Sequence, residues 1–268
     1  MKVLVACEYS GTVRNAFNAR GHDATSCDLL PTDAEGPHHQ GDVYDMLGQQ
    51  WDLIIAHPPC TALTVAGNST YGEGQPKYAE RLASVDWTVA LWNAMKASSS
   101  KVCMENPVGV LRRLGKMHAP QFVQPYQFGH MEQKKTGLFL HGLPDLTPTD
   151  DVYDEMMTLP KNVRERLHYL PPSPDRWKIR STTYQGIADA MAAQWGGRPM
   201  TSEEFKRARM ALGFTQGGLA AEWGMGENGG RSIRRWECGQ RPVSPIAAYA
   251  IQIMRLNLTD LADDTIGF

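Results

Sequence analysis

The chain has 268 residues, a net charge of −2 and five cysteines, with 42% apolar and 21% charged residues. That length allows one large α/β domain with a small appendage, and a pI near 6.4 speaks against a general polyanion binder while leaving room for a local basic face. Cys7, Cys27, Cys60, Cys103 and Cys238 are odd in number and form no C-x-x-C pair, which argues against a disulfide framework or a zinc knuckle and for a reducing cytoplasm.

The opening MKVLVACEYSG is too short and too polar for a signal-peptide core, and no window reads as a membrane span, so a soluble, unexported protein is expected. Lys2 to Ala6 reads as a buried strand, followed by a turn through Gly11 and a helix from Thr12 to Arg20 that Thr12 caps and Gly21 ends. Asp23 to Cys27 is a weaker strand closing at Asp28, where Rossmann-like folds place the carboxylate that holds ribose hydroxyls. A plain βαβ turn with an exposed aspartate is the alternative. His38 and His39 lack a cysteine or carboxylate partner at ligand spacing, so no metal site is expected. Asp42 belongs either to a cofactor's adenine side or to an ordinary surface turn.

Leu53 to Ala56 is a short β-branched run that stops at His57-Pro58-Pro59-Cys60. Each proline fixes φ near −65° and restricts the residue before it, so a thiol is presented on a stiff elbow beyond a core strand. The glycine-rich Thr64 to Pro76 reads as a mobile loop able to close over a substrate. Lys77 to Ala97 reads as a helix with Leu82, Val85, Val89 and Trp92 as its buried stripe and Trp87 also in the core. Lys101 to Met104 is another strand, ending at Glu105-Asn106-Pro107. Four strands thus end at Gly11, Asp28, Cys60 and Glu105, and open α/β sheets bind ligands at such ends.

Leu111 to Ala119 reads as a short helix and Gly137 to His141 as a strand, with Gln133, Lys134 and Lys135 between them as a basic patch, solvated or touching phosphates. Leu143 to Lys178 is an irregular excursion with one helix at Asn162 to His168, and Gly186 to Trp195 is a helix. Gly197 to Met200 is the boundary. Four helices follow, Phe205 to Leu212, Leu219 to Trp223, Arg231 to Glu237 and Pro245 to Leu256, the third carrying Arg231, Ser232, Arg234 and Arg235 as major-groove reading requires.

On these motifs, residues 1–197 resemble the compact, phage-type DNA cytosine-5 methyltransferases: His57-Pro58-Pro59-Cys60 is similar to the nucleophile motif, Glu105-Asn106-Pro107 to Glu-Asn-Val, Gln133-Lys134-Lys135 to Gln-x-Arg, and Cys7 to Gly11 to the cofactor turn. Residues 201–268 resemble a phage-repressor helix-turn-helix, most visibly in FKRARMALGFTQGGLA. The resemblance implies an α/β fold with a Rossmann-like S-adenosylmethionine-dependent methyltransferase sheet, a target-recognition excursion at about 142–179, and DNA as partner. It implies that Cys60 adds to C6 of an extruded cytosine, that Glu105, desolvated and so raised in pKa, holds the base, and that Lys135 supplies the family's cation. Tyr9, Ser10, Gly11, Asp28, Asp42, Pro58, Arg180 and Ser181 would meet the cofactor, and Gln133 and Lys134 the DNA.

Three departures stand out. Tyr9 replaces the turn's first glycine, so either the backbone keeps further from the cofactor or the side chain folds away. The excursion is short, implying loose base discrimination or delegation to the C-terminal helices. Arg180-Ser181-Thr182-Thr183 replaces Gly-Asn-Ser/Ala-Val, and an arginine there can either pair with the carboxylate of carboxy-S-adenosylmethionine or lie on DNA phosphate or the surface. Two further readings stay open: a regulator with an inactive methyltransferase-like domain, and a C-terminal domain that makes a homodimer.

Overall fold

A computed structural model describes residues 1–196 and 200–244 together with 247, 248, 250, 251 and 254. The chain divides into two compact units, Met1–Phe17 with Ala24–Gly196, and Asn18–Asp23 with Gly197–Phe268.

In chain order the first unit runs β1 (Lys2–Ala6), α1 (Thr12–Ala19), β2 (Asp23–Asp28), β3 (His38–Gln40), α2 (Val43–Met46), β4 (Leu53–Ala56), α3 (Asn68–Tyr71), α4 (Tyr78–Ser98), β5 (Val102–Pro107), β6 (Gln121–Val123), β7 (Thr136–His141), α5 (Tyr153–Met157), α6 (Lys161–Arg164), α7 (Arg166–Tyr169), α8 (Arg176–Ser181) and α9 (Gln185–Gln194). These strands form one sheet in the order β3-β2-β1-β4-β5-β7-β6. The pairs β1 with β4 and β4 with β5 are parallel, whereas β7 runs antiparallel to both β5 and β6. This is the expected α/β, Rossmann-like sheet. Its order reverses between β1 and β4, the switch point where such sheets open a ligand crevice.

Side-chain alternation splits the core into two layers. Val3, Val5, Leu53, Ile55 and Cys103 face Phe17 of α1 and Ile187 and Met191 of α9. Leu4, Ala6, Ile54, Ala56 and Met104 face Leu91, Trp92 and Met95 of α4. Burial on both faces explains why β1 and β4 are continuous apolar runs.

Several expectations are corrected. Strands β3 and β6 were not anticipated, being only three residues long. Leu111 to Ala119 forms turns rather than a helix, and Lys116 takes a left-handed φ of 51° that breaks any helical run. Leu82 and Trp87 are 40% and 38% exposed, because α4 instead buries Arg81, Val85, Thr88, Trp92 and Met95. Arg81 is turned inward to donate to Ala62 O (2.7 Å), Thr64 O (3.0 Å) and Asn68 Oδ1 (2.8 Å). The segment after Cys60, expected as a free loop, is therefore pinned and carries the turn Val65–Gly67 and α3. The helix expected over Asn162 to His168 is split at Glu165 into α6 and α7. Thr12 does not cap α1: the Glu8 carboxylate takes the amides of Val13 (2.7 Å) and Arg14 (3.2 Å).

The second unit holds α10 (Ser202–Ala211), α11 (Gln216–Glu222) and α12 (Gly229–Glu237). Thr201 and Glu204 cap α10 reciprocally, and Thr215 caps α11. Phe205, Leu219 and Ile233 share its core. A Cβ on Gly229 would stand 2.8 Å from that of Ala220 and 2.5 Å from that of Met225, so the approach of α12 to α11 requires glycine. The expected fourth helix, Pro245 to Leu256, lies largely outside the described residues. Arg209 and Glu237 form a buried, two-pronged pair at 2.6 and 3.1 Å, and Gln216 adds a third donor to Glu237 at 2.6 Å.

Burial pushes the Glu237 carboxyl up, but Arg209 and Gln216 outweigh it and hold it below the usual range. Its stabilisation is thus present above the ordinary carboxylate pKa and lost as pH falls through the lower folded value. Glu237→Gln is expected to destabilise this unit by about 3 kcal/mol at pH 7, read as faster hydrogen exchange across Ser202 to Glu237, with the difference from wild type shrinking in acid. An equal difference at pH 7 and in acid would rule out an ionic contribution.

Candidate active site

Strand register builds the site. Ala6 pairs with Ala56, and Ala56 with Met104, so the residues that follow, Cys7, His57 and Glu105, come side by side. Strands β1 and β4 end there, whereas β5 runs on to Pro107, two residues past the expected end at Glu105, with Glu105 paired to Leu138 of β7. The His57 amide continues the ladder to Ala6 O at 2.9 Å. His57 Nδ1 lies 3.0 Å from Glu105 Oε2, with the two side chains only 8% and 14% exposed. Thr136, at the start of β7, is a further hydrogen-bond partner of Glu105.

Burial pushes Glu105 up, yet Lys134, His57 and Thr136 together outweigh it and hold the carboxyl below its ordinary range. This reverses the raised pKa expected from desolvation alone. Cys60 shows the opposite balance: burial first and Glu105 second push the thiol up, while Lys134, a backbone hydrogen bond and Arg180 pull it down without cancelling them. The Cys60 carbonyl accepts from the amides of Leu63 (2.9 Å) and Thr64 (3.0 Å), so the thiol opens a tight turn rather than ending an extended elbow. Buried Pro58 underpins that turn.

The two lysines separate. Lys134 joins Glu105, Thr136, Thr183 and Tyr184 in lining a small cleft, with its ammonium 5.9 Å from the Tyr184 ring centroid. Lys135, the expected cation, is exposed, and its ammonium sits 4.5 Å over the Phe122 ring. The structure therefore puts Lys134, not Lys135, beside the acid. Gln133 is engaged through its backbone, its amide donating to Arg164 O at 2.6 Å.

On the other side of the switch point, Gly11 has φ +71° and Ser10 Oγ lies 3.3 Å from both Glu8 Oε1 and the Thr12 amide. Tyr9 is 6% exposed; its hydroxyl donates to Lys178 O at 3.1 Å and lies 3.2 Å from Ser181 Oγ. The tyrosine thus folds away beneath α8. Asp28 accepts the Leu30 amide on Oδ1 at 3.0 Å, and the neighbouring Leu29 is 74% exposed. Asp42 caps α2 by accepting the Tyr44 amide at 3.0 Å.

The placement of Glu8 at the start of α1, of His57 against Glu105, and of Lys134 as the cation beside the acid escaped the sequence reading. Their signals were slight: an acid ahead of a helix start, a histidine before Pro-Pro-Cys, and the first rather than the second of two lysines. Beside the turn after Cys60, a cleft of about 470 Å³ is lined by Val65, Asn68, Gly109, Val110, Arg112 and Arg113. On α12 of the second unit, Arg231, Arg234 and Arg235 are exposed, Ser232 is half-buried and Ile233 faces the core. Among the described residues no cluster of three metal-ligating side chains occurs, and no helix is long and apolar enough to cross a membrane.

No protein-family model and no curated protein sequence matches the chain. Among solved structures it is similar to an E. coli protein described as a candidate DNA modification methyltransferase encoded within a prophage, with a TM-score of 0.39 and 14% identity over 64% of this chain. The match spans 55% of that protein.

Because Glu105 raises the Cys60 pKa and Lys134 lowers it, Glu105→Gln is expected to speed iodoacetamide labelling of Cys60 at pH 8, and Lys134→Met to slow it, each by about two- to tenfold. Mass spectrometry of the Cys60 peptide gives the rates. Unchanged rates in both variants would show that neither charge acts on the sulfur.

Proposed function

We propose that the chain transfers a one-carbon group from S-adenosylmethionine to C5 of cytosine in DNA, through a covalent bond between Cys60 and an extruded base. The observation that carries this is that Glu105 and Lys134 both act electrostatically on Cys60, with Cys60 following β4 and Glu105 among the last β5 residues to pair with β7, beside the switch point.

The residues of the crevice fit the cofactor. The N-terminus of α1 is filled by the Glu8 carboxylate, which disfavours the pyrophosphate of a dinucleotide and suits a cationic sulfonium. Asp28 would hold ribose hydroxyls, exposed Leu29 would meet the adenine, and Gly11 would give the backbone close approach. The bound cofactor supplies an electrophilic one-carbon group.

The cytosine must leave the stack, since C6 is unreachable within a duplex. Ionised Glu105 accepts the exocyclic amino group. Moving the Cys60 proton onto Glu105 removes the charge that holds the thiol up, so nucleophile and acid are activated together. The sulfur then bonds to C6, the electron pair moves through the ring to N3, and Glu105 protonates N3. This leaves C5 nucleophilic. Transfer to C5 would leave the cofactor as a neutral thioether; the C5 proton then passes to solvent water, the C6–S electron pair departs with the Cys60 thiolate, and the N3 proton returns through Glu105 to Cys60. Lys134 balances the carboxylate throughout.

One observation favours a variant reading. Arg180, on α8, is close enough to act electrostatically on Cys60, so a carboxylate on the transferred group, as in carboxy-S-adenosylmethionine, would find a counter-charge there.

Duplex DNA incubated with the protein and each cofactor, then digested to nucleosides for mass spectrometry, is expected to show 5-methylcytosine or 5-carboxymethylcytosine. Cys60→Ala is expected to lower product formation by at least about 10³-fold. A Cys60→Ala protein that still modifies DNA overturns the covalent route, and wild-type protein that binds DNA but leaves it unmodified favours the regulator reading. For the second unit we propose that α12 enters the major groove. Arg234→Ala is then expected to weaken DNA binding by about 1–3 kcal/mol if it reads a base, or to reduce the salt slope by about one if it meets a phosphate. An unchanged salt-dependent isotherm removes α12 from the interface.

A further inference from the structure

We propose that His57 is a positioning residue for Glu105: its Nδ1–H holds Oε2 and fixes the edge that the carboxyl group presents to the base. The inference rests on the cytosine reading above and adds a residue to it. Four observations support it. The contact is short, 3.0 Å, between two largely buried side chains. The His57 backbone is locked into the sheet by its bond to Ala6 O, and Pro58 restricts it from the other side, so the imidazole cannot drift. A carboxylate only accepts, so Nδ1 carries the proton. Finally, Nε2 is buried with no hydrogen-bond partner, so among the described residues the contact from Nδ1 to Oε2 is the one that orients the ring.

Glu105 needs such a holder because its other neighbours do not fix its plane. Lys134 acts on it as a charge, and Thr136 also gives its hydroxyl hydrogen to Lys134 O at 3.1 Å. Thr183 and Tyr184 line the same cleft, but the side-chain hydrogen bond to Oε2 among the described residues is that of His57. His57, from the adjacent parallel strand end, is the group whose donor is fixed in direction. Holding a reacting group to within a fraction of an ångström is worth a large factor, since a displacement of about 1 Å can cost 10²-fold in rate.

The test uses the full-length protein and two amides that sample different ring positions. His57→Asn places its amide near Nδ1 and retains the donor to Oε2; His57→Gln places it near Nε2 and loses that donor. With duplex DNA and whichever cofactor gives product with wild type, His57→Asn is expected to keep kcat within about threefold. His57→Gln and His57→Ala are expected to lose about ten- to a hundredfold in kcat, with KM for the cofactor within about twofold. Combining His57→Ala with Glu105→Gln is expected to add little to Glu105→Gln alone, because the two act as a unit. Thermal melting of each variant controls for folding, and should His57→Ala not fold, the Asn against Gln comparison decides. Equal kcat for Asn and Gln, or additive losses in the double variant, overturns the positioning role. Wild-type protein that leaves cytosine unmodified instead overturns the functional reading on which it rests.

Discussion

Everything at the site follows from one register. Because Ala6, Ala56 and Met104 lie side by side across three parallel strands, the three residues after them are forced to the same rim, and no loop has to be ordered to bring them together. Hydrogen bonding along β1, β4 and β5 thus does the positioning, and the buried apolar faces above and below prevent the strands from slipping. A shift of one residue in β4 would turn Ile54 and Ile55 to the wrong layers and swing His57 away from Glu105. The geometry of the rim is therefore as stable as the core itself.

On that rim the protein keeps several ionisable groups out of water, and each is balanced differently. Glu8 is balanced by the amides of α1. Buried Arg14 is spread over Ser26 Oγ and the carbonyls of Ala34 and Glu35, at 2.8 to 2.9 Å. Arg81 is spread over three oxygens of the turn after Cys60. These are structural solutions, since each of these three charges is met by backbone, amide or hydroxyl partners. Cys60 and Glu105 differ. Glu105 raises the pKa of the thiol, Lys134 lowers that of both groups, and this cation sits on a loop next to an aromatic ring. A pair whose charges are interdependent is suited to moving protons, whereas a capped helix end is suited to staying still.

The sheet strands that set the site were legible because double burial makes them apolar and β-branched, as in KVLVA and LIIA. Strand β3 was not, since His38-His39-Gln40 is polar and takes its place only by pairing with Ser26 to Asp28. The thiol and the acid could be read because they follow the parallel-paired stretches of β4 and β5, where chain position and spatial position coincide. The cation could not be assigned by the same logic. Lys134 and Lys135 are adjacent just before β7, and which of them turns inward is decided by a tertiary contact, the bond from the Lys134 amide to Gln124 Oε1 at 3.0 Å. In α4 the apolar pattern itself misled: a buried arginine displaced Leu82 from the core side, an arrangement that a hydrophobic stripe cannot encode.

Tyr9 shows how a departure from a pattern is absorbed. A side chain where a glycine is expected should crowd the turn after β1, yet this one leaves the turn open by becoming the floor for α8, with Trp177 5.4 Å from its ring and Lys178 bridging to Asp33 at 3.5 Å. That arrangement ties the end of the excursion to the turn after β1. Arg180 rides on the same short helix, so its distance from Cys60 is set by the tyrosine as much as by its own sequence position. The two departures, an added aromatic ring and an added guanidinium, are thus mechanically one, since Tyr9 holds the helix that carries Arg180.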